Sequence, residues 1–224
     1  LAINIASYID HTTLKPATTI ADIKKVCEEA IAENFVAICI PPYFVTEAKA
    51  LLNGTDIKVA TVIGFPFGYS TTLSKFCEIK EAIQNGADEL DMVHNLAALK
   101  SGKWGYLGNE IKTCTETIHS SGKKIKVIVE SGSLTDEELI KCCELYSKYD
   151  IDFMKTSTGF SETGATVHAV EIMRSHLPNH IAIKASAGIR NFEFAKKLID
   201  AGATRLGCSA SIQIVKESKE AELI

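Results

Sequence analysis

The segment "HIAIKASAG", residues 180–188, alternates apolar and polar positions and ends in small residues, and "ATRLGCSAS", residues 203–211, has the same form. Six more runs of this kind precede them: "ASYIDHT", "FVAICIPP", "KVATVIGFP", "ADELDMVHN", "KIKVIVESG" and "IDFMKTSTG". With the run ends marked at Asp10, Cys39, Gly64, Asp91, Glu130, Lys155, Lys184 and Gly207, the spacings are 29, 25, 27, 39, 25, 29 and 23 residues. Each is long enough for one strand, one helix and two short turns, so the repeat predicts eight βα units.

The intervening segments carry helix signals. "TTIADIKKVCEEAIAEN" opens with threonines that suit a helix N-cap, and places Ile20, Ile23, Val26, Cys27, Ala30 and Ile31 on one face. "SLTDEELIKCCELYSKYD" begins with Ser133 or Thr135 ahead of acidic residues, the charge that a helix N-terminus favours. Gly86 and Gly202, in "NGAD" and "AGAT", fall where a helix stops before the next strand. Eight strands alternating with helices predict a (β/α)8 barrel, near the small end for that fold. The competing architecture, an open doubly wound sheet, usually has fewer strands and places its ligand loop after the first; no Gly-x-Gly-x-x-Gly follows a strand here. No linker, low-complexity stretch or composition break appears, so residues 1–224 are expected to form one catalytic barrel domain.

Composition narrows the function. The chain has 224 residues, 46 % of them hydrophobic, enough to bury a substantial core, and a net charge of −4. The basic pairs Lys123–Lys124 and Lys196–Lys197 are isolated among acids, which argues against a nucleic-acid surface. No apolar run approaches the length needed to span a bilayer, and the first residues lack the pattern of an export signal, so neither membrane partners nor export are expected. Seven scattered cysteines, none spaced Cys-x-x-Cys, suggest neither a disulfide framework nor a zinc site; a cytoplasmic location is expected.

Strand parity then locates the unusual charges. Ile181 and Ile183 share one face while Ala182, Lys184 and Ser186 share the other. By the same rule Met154 opposes Phe153, Lys155 and Ser157; Leu90 and Met92 oppose Glu89, Asp91 and Val93; and Val127 and Val129 oppose Lys126, Ile128 and Glu130. The apolar faces suit contact with helices, which sends the charges toward the barrel axis. Asp91, Lys155 and Lys184 come late in their runs, hence near the C-terminal mouth where barrel enzymes keep their sites. One reading is a structural ion pair between Asp91 and one lysine. Against it stands the desolvation cost, which can cancel the Coulomb gain of a buried pair. The chemical reading is amine catalysis: burial and a second cation nearby both disfavour a charged lysine, and a free amine attacks carbonyls.

Turns rich in glycine and hydroxyls end the last three strands: "TSTG" at 156–159, "ASAGIR" at 185–190 and "GCSAS" at 207–211. Tight turns alone would explain any one of them, but barrels often hold a phosphate after strands 7 and 8. A small phosphorylated substrate therefore fits.

Across nearly its whole length the chain resembles the deoxyribose-phosphate aldolase family of class I, Schiff-base aldolases. The likeness runs in order through "IDHTTLKP", "VAICIPP", "VIGFPFG", "ELDMVHNLAALKSG", "KVIVESGSL", "FMKTSTGF", "KASAGIR" and "GCSAS". It implies reversible cleavage of 2-deoxy-D-ribose 5-phosphate to acetaldehyde and D-glyceraldehyde 3-phosphate, with no metal or organic cofactor. By motif position Lys155 matches the Schiff-base lysine, Lys184 the second lysine that lowers its pKa, Asp91 the proton-relay aspartate, and Asp10 an acid that helps hold this network and the substrate. Gly159, Gly188, Arg190, Gly207 and Ser209 match phosphate-loop positions. Homodimers are usual among relatives, although no interface signature is visible here. Three departures predict altered phosphate affinity: Ala187 replaces the first of two glycines, Ala210 replaces a second serine, and no aromatic residue follows Phe194.

Other candidates read as structural. His11 and His94 lie by the expected mouth, where most histidines line a pocket rather than react. His176 and His180 are four apart, but Pro178 spoils a helical metal pair, and no acid or cysteine completes a zinc set. Cys39 is expected to be a small core residue, with a mouth-facing thiol as the reactive alternative. Glu130 is expected to line the site or to pair with Lys126. Two rival functions remain: a lysine aldolase or transaldolase for another sugar phosphate, and a sugar-phosphate sensor without turnover.

Overall fold

In the computed structural model, which describes residues 3–221, eight parallel strands close on themselves in chain order. They are β1 (Ile9–Thr12), β2 (Ala37–Ile40), β3 (Lys58–Ile63), β4 (Glu89–Val93), β5 (Lys124–Ile128), β6 (Phe153–Lys155), β7 (Ala182–Ser186) and β8 (Arg205–Cys208). β8 returns to β1 with Leu206 opposite Ile9 and Gly207 opposite Asp10, which closes the barrel. The expected (β/α)8 architecture is therefore present; of the expected span 1–224, positions 1, 2 and 222–224 lie outside the described residues.

Nine helices accompany the strands among the described residues: α1 (Ile20–Glu33), α2 (Val45–Leu51), α3 (Thr72–Gln84), α4 (Leu96–Lys100), α5 (Trp104–His119), α6 (Asp136–Tyr146), α7 (Val167–His176), α8 (Phe192–Asp200) and α9 (Ser211–Ala221). The 39-residue spacing between the fourth and fifth run ends holds two of them, α4 and α5. Capping chemistry sets their starts. Thr19 and Asp22 form a reciprocal capping box at α1, as do Thr135 and Glu138 at α6, so Thr135 rather than Ser133 is the cap. Two expectations need correction. The run "ASYIDHT" begins as a 3-10 turn, Ile5–Tyr8, and becomes strand only at Ile9. On α1 the buried stripe is Ile23, Val26, Cys27 and Ala30, whereas Ile20 and Ile31 remain exposed at its edges.

The main core lies between strands and helices. Ile38, Ile40, Ile63, Leu90, Met92, Val127, Met154, Ile183 and Leu206 all point into it and are fully buried, each side chain contributing about 1.5–3 kcal/mol through lost contact with water. Inside the barrel the apolar filling is much smaller: Cys39, Ala60 and Val62 from β2 and β3, covered by Leu14 and Phe65. The rest of the interior is charged.

Candidate active site

Parity delivers the charges as expected. Glu89 and Asp91 from β4, Lys126 from β5, Lys155 from β6, Lys184 from β7, Arg205 from β8 and Asp10 from β1 are all buried. Lys155 and Lys184 are register partners on neighbouring strands, and both amines donate to the same oxygen, Asp91 Oδ2, at 2.8 Å. The other oxygen, Asp91 Oδ1, accepts from Lys126 at 2.7 Å. Lys184 also donates to Asp10, whose second oxygen takes the Arg205 guanidinium at 2.6 Å. Glu89 closes the lower edge by pairing with Lys126 at 2.6 Å and Arg205 at 3.1 Å. Arg205 and Lys126 both lie over the ring of Phe153, at 5.2 and 5.8 Å from its centre, so the floor of the barrel is an aromatic ring beneath two cations. Any Cβ on Gly207 would stand 2.9 Å from the Ser186 Cβ and 3.0 Å from Lys184 Cε, so a residue without a side chain is what leaves room for Lys184.

The electrostatics follow from this crowding. Burial favours protonation of Asp91, but Lys126, Lys155 and Lys184 outweigh it and hold the carboxyl well below the usual range. Asp10 behaves likewise: burial is overcome by Lys184, Lys126 and Arg205. Burial also opposes a charge on Lys184, yet Asp10 and Asp91 together raise its pKa above that of an ordinary lysine. Lys184 is thus a fixed cation next to Lys155. Four cations (Lys126, Lys155, Lys184, Arg205) face three carboxylates (Asp10, Glu89, Asp91), and the cluster becomes neutral when one amine is uncharged.

Among these charged side chains Lys155 alone lines the pocket above, a cavity of about 240 Å³ bounded also by Thr12, Leu14, Thr158 and the loops after β6, β7 and β8. Gly159, Gly188, Arg190, Gly207 and Ser209 all line this pocket. Among the described residues the amides of Gly159, Gly188 and Ser209 donate to no protein acceptor, and Arg190 makes no ion pair. The β8 loop leads directly into the N-terminus of α9, which adds a favourable dipole for an anion. The loops are tied together: Ser186 Oγ donates to the Ser157 carbonyl at 2.7 Å, and Ser186 N donates to Thr156 Oγ1 at 3.1 Å. Ala187 takes a left-handed backbone, φ 71°, just before Gly188 at φ 79°. The departure from a double glycine therefore sits where glycine is the better fit.

Two expectations change, those for the partners of Asp91 and of Glu130. Asp91 serves three cations, not one lysine. Lys126 does not pair with Glu130; it reaches Glu89 and Asp91, while Glu130 turns upward and accepts hydrogen bonds from Thr158. His94 is fully buried with Nδ1 2.7 Å from the Tyr146 hydroxyl; burial, aided by the Lys75 cation, lowers its pKa to about 3, so it stays neutral. His11 is held between Ser211 at 2.9 Å and Glu29 at 2.7 Å, bracing β1 against α9 and α1. Cys39 is buried with its sulfur 3.9 Å from Asp91, and burial raises its pKa, which keeps the thiol protonated. His176 ends α7 and His180 lies beyond it. Among the described residues no set of three His, Cys, Asp or Glu forms a metal-binding group. Arg205 escaped notice in the sequence, although it shares the parity of Gly207 in the same run.

Fold and site together define a (β/α)8 enzyme built around a buried amine. A family model described as DeoC/LacD family aldolase matches residues 4–212, and the chain belongs to that family. A deoxyribose-phosphate aldolase of Aciduliprofundum boonei is 49 % identical over 212 residues, covering 95 % of this chain and 96 % of its own. An aldolase named QR15 superposes with a TM-score of 0.92 at 38 % identity, over 99 % of this chain and 98 % of that one. A tetrameric deoxyribose phosphate aldolase of Aeropyrum pernix gives a TM-score of 0.90 at 29 % identity, over 97 % and 92 % of the two chains.

Proposed function

We propose that this enzyme is a class I aldolase that reversibly cleaves 2-deoxy-D-ribose 5-phosphate to acetaldehyde and D-glyceraldehyde 3-phosphate through a Schiff base on Lys155. One observation carries the residue assignment: of the four cations in the barrel cluster, the amine that opens into the pocket is Lys155, and that pocket is rimmed by the three phosphate-suited loops. With Lys155 as the free amine, three cations balance three carboxylates, so the reactive state is also the neutral one. The substrate class is supported by family membership and by the relatives' shared activity.

The Lys155 amine adds to C1 of the open-chain sugar, and loss of water gives a protonated imine. Asp91, acting through a water, accepts the C3 hydroxyl proton; a carbonyl forms at C3, the C2–C3 bond breaks, and its electron pair moves to the iminium as an enamine. Reprotonation at C2 and hydrolysis release acetaldehyde and regenerate the amine. Lys184 supplies positive charge beside Lys155 and fixes Asp91, while Asp10 locks Lys184. Amides of Gly159, Gly188 and Ser209, backed by Arg190 and the α9 N-terminus, hold the C5 phosphate, with Gly207 leaving space for the lysine beneath. Residues 1–224 act as one catalytic domain. No helix among the described residues is long and apolar enough to cross a membrane; the seven free cysteines, six of them buried, support a cytoplasmic enzyme. A homo-oligomer is part of this reading, either a dimer or an assembly like that of the tetrameric relative.

Borohydride reduction in the presence of deoxyribose 5-phosphate is the test. A stable adduct on the peptide carrying Lys155 is expected; an adduct on another lysine, or none, defeats the mechanism. Trapping with a different sugar phosphate alone would favour the rival aldolase, and binding without turnover the sensor.

A further inference from the structure

Glu130 lies two residues beyond the end of β5 and has a non-glycine left-handed backbone, φ 52° and ψ 57°. Such a conformation is costly for a residue with a Cβ, and it persists where surrounding contacts over-determine it. Here the contacts lead to the loop after β6. Glu130 is 4 % exposed, and among the described residues its carboxylate has no cation partner. Instead it accepts from Thr158 twice, from the amide at 3.2 Å and from the hydroxyl. Thr158 Oγ1 in turn accepts the Phe160 amide at 3.1 Å, so one carboxylate fixes both sides of Gly159. The backbone around Glu130 engages the same segment: Val129 N donates to the Lys155 carbonyl at 3.0 Å and Ser131 N to the Thr156 carbonyl at 2.8 Å.

We infer that Glu130 is a positioning residue for anion recognition: its buried carboxylate clamps Thr158 so that the Gly159 amide is aimed into the Lys155 pocket. Glu130 does not itself line that pocket, whereas Thr158 and Gly159 do, so its effect passes through Thr158. The left-handed turn at Glu130 is what brings its side chain back over the β6 loop. A carboxylate near a phosphate site would repel the ligand if it were free. Held by two Thr158 donors, one on each oxygen, it orders the loop while the donors' dipoles offset part of its negative charge. The inference rests on the phosphate reading of the loops given above.

Glu130→Gly is the informative variant, because glycine accepts φ 52° without strain and only the carboxylate is lost. Glu130→Gln is the rescue, since its amide can still join both Thr158 groups. Inorganic phosphate binding, followed by calorimetry, should weaken about tenfold in Glu130→Gly and in Thr158→Val, and by less than about threefold in Glu130→Gln. In turnover, Glu130→Gly should raise KM for deoxyribose 5-phosphate by a similar factor, with kcat and the kcat/KM for unphosphorylated 2-deoxyribose changing less than about threefold. Equal losses on both sugars, or unchanged phosphate binding in Glu130→Gly and Thr158→Val, would overturn the clamp. Phosphate titration also separates the two readings: wild-type protein that binds phosphate but traps no sugar adduct defeats the aldolase mechanism and leaves the clamp to be decided by the variants.

Discussion

Lys75 on α3 and Lys155 on β6 are both withdrawn from water, at 0 % and 2 % exposure, yet their surroundings differ. Lys75 lies among helices and strand ends: its amine donates to the Val93 carbonyl at 2.8 Å and to Glu110 of α5 at 2.9 Å, and Glu110 is equally buried. That pair is closed, one cation to one carboxylate. Lys155 belongs to a cluster with one more cation than carboxylate, and it opens on a pocket. Burial of a lysine is therefore no mark of catalysis. A shared counter-ion and an opening above the amine are what set apart Lys155, the lysine proposed to react.

Substitution of the two lysines should separate the regions most sharply. Lys155→Met is expected to lower turnover by roughly a thousandfold or more, and to abolish borohydride trapping, while the protein stays folded. Full turnover in this variant would erase the distinction. Lys75→Met should do the converse: Glu110 is left buried without its partner, at a cost of about 3–5 kcal/mol, lowering the melting temperature by about 10 °C with kcat changed less than about threefold. Replacing both members, Lys75→Met with Glu110→Leu, should recover much of that loss. If Lys75→Met kept its stability and lost turnover, Lys75 would belong with the catalytic group.

Acid should sharpen the comparison. Burial, against the pull of Lys75, raises Glu110 above the ordinary 4.5, whereas Asp10 and Asp91 lie below the ordinary 3.8. As pH falls through the raised value, the folded state takes up the Glu110 proton before the unfolded chain does, so this group's contribution to stability rises. The Asp10 and Asp91 contribution is whole above 3.8 and is lost as pH drops toward their depressed folded values. Denaturant midpoints for wild type and Glu110→Gln should therefore converge as pH falls from 7 toward 4.5, and both should fall together below 4. Constant separation across that range would count against the raised carboxyl.

The smallest effect is expected at the loop after β7. Ala187→Gly relieves a left-handed alanine and should add about 1 kcal/mol, a rise of about 2–4 °C in melting temperature. A fall would mean that the methyl group's packing outweighs the backbone strain.

Which parts were legible in the sequence depends on how local their signal is. Asp91, Lys155 and Lys184 could be placed because each interrupts an alternating strand, and period two assigns its face without knowledge of any other strand. Glu89 was placed inward with Asp91 by the same rule, whereas Arg205 opens its strand, where alternation has barely begun, and the pairing of the two at the barrel floor emerges only on closure. Glu130 was assigned inward by parity, but the left-handed turn breaks parity and sends its side chain to Thr158. Lys75 and Glu110 stand 35 positions apart, and no strand alternation marks either of them. Their signal was present in the helical period: Lys75 shares a buried stripe with Ile79 and Ala82, and Glu110 with Leu107, Ile111 and Cys114.

The ring of Phe153 beneath Arg205 and Lys126 gives the barrel the form of a cup rather than a tube. Phe153 and Arg205 are only 7 % and 8 % exposed, so the lower end is narrow beside the pocket above Lys155. Sugar and aldehyde are left with the pocket above Lys155 as their doorway. In heavy water, the isotope that reaches the methyl carbon of acetaldehyde should then come in past the three loops that rim the Lys155 pocket.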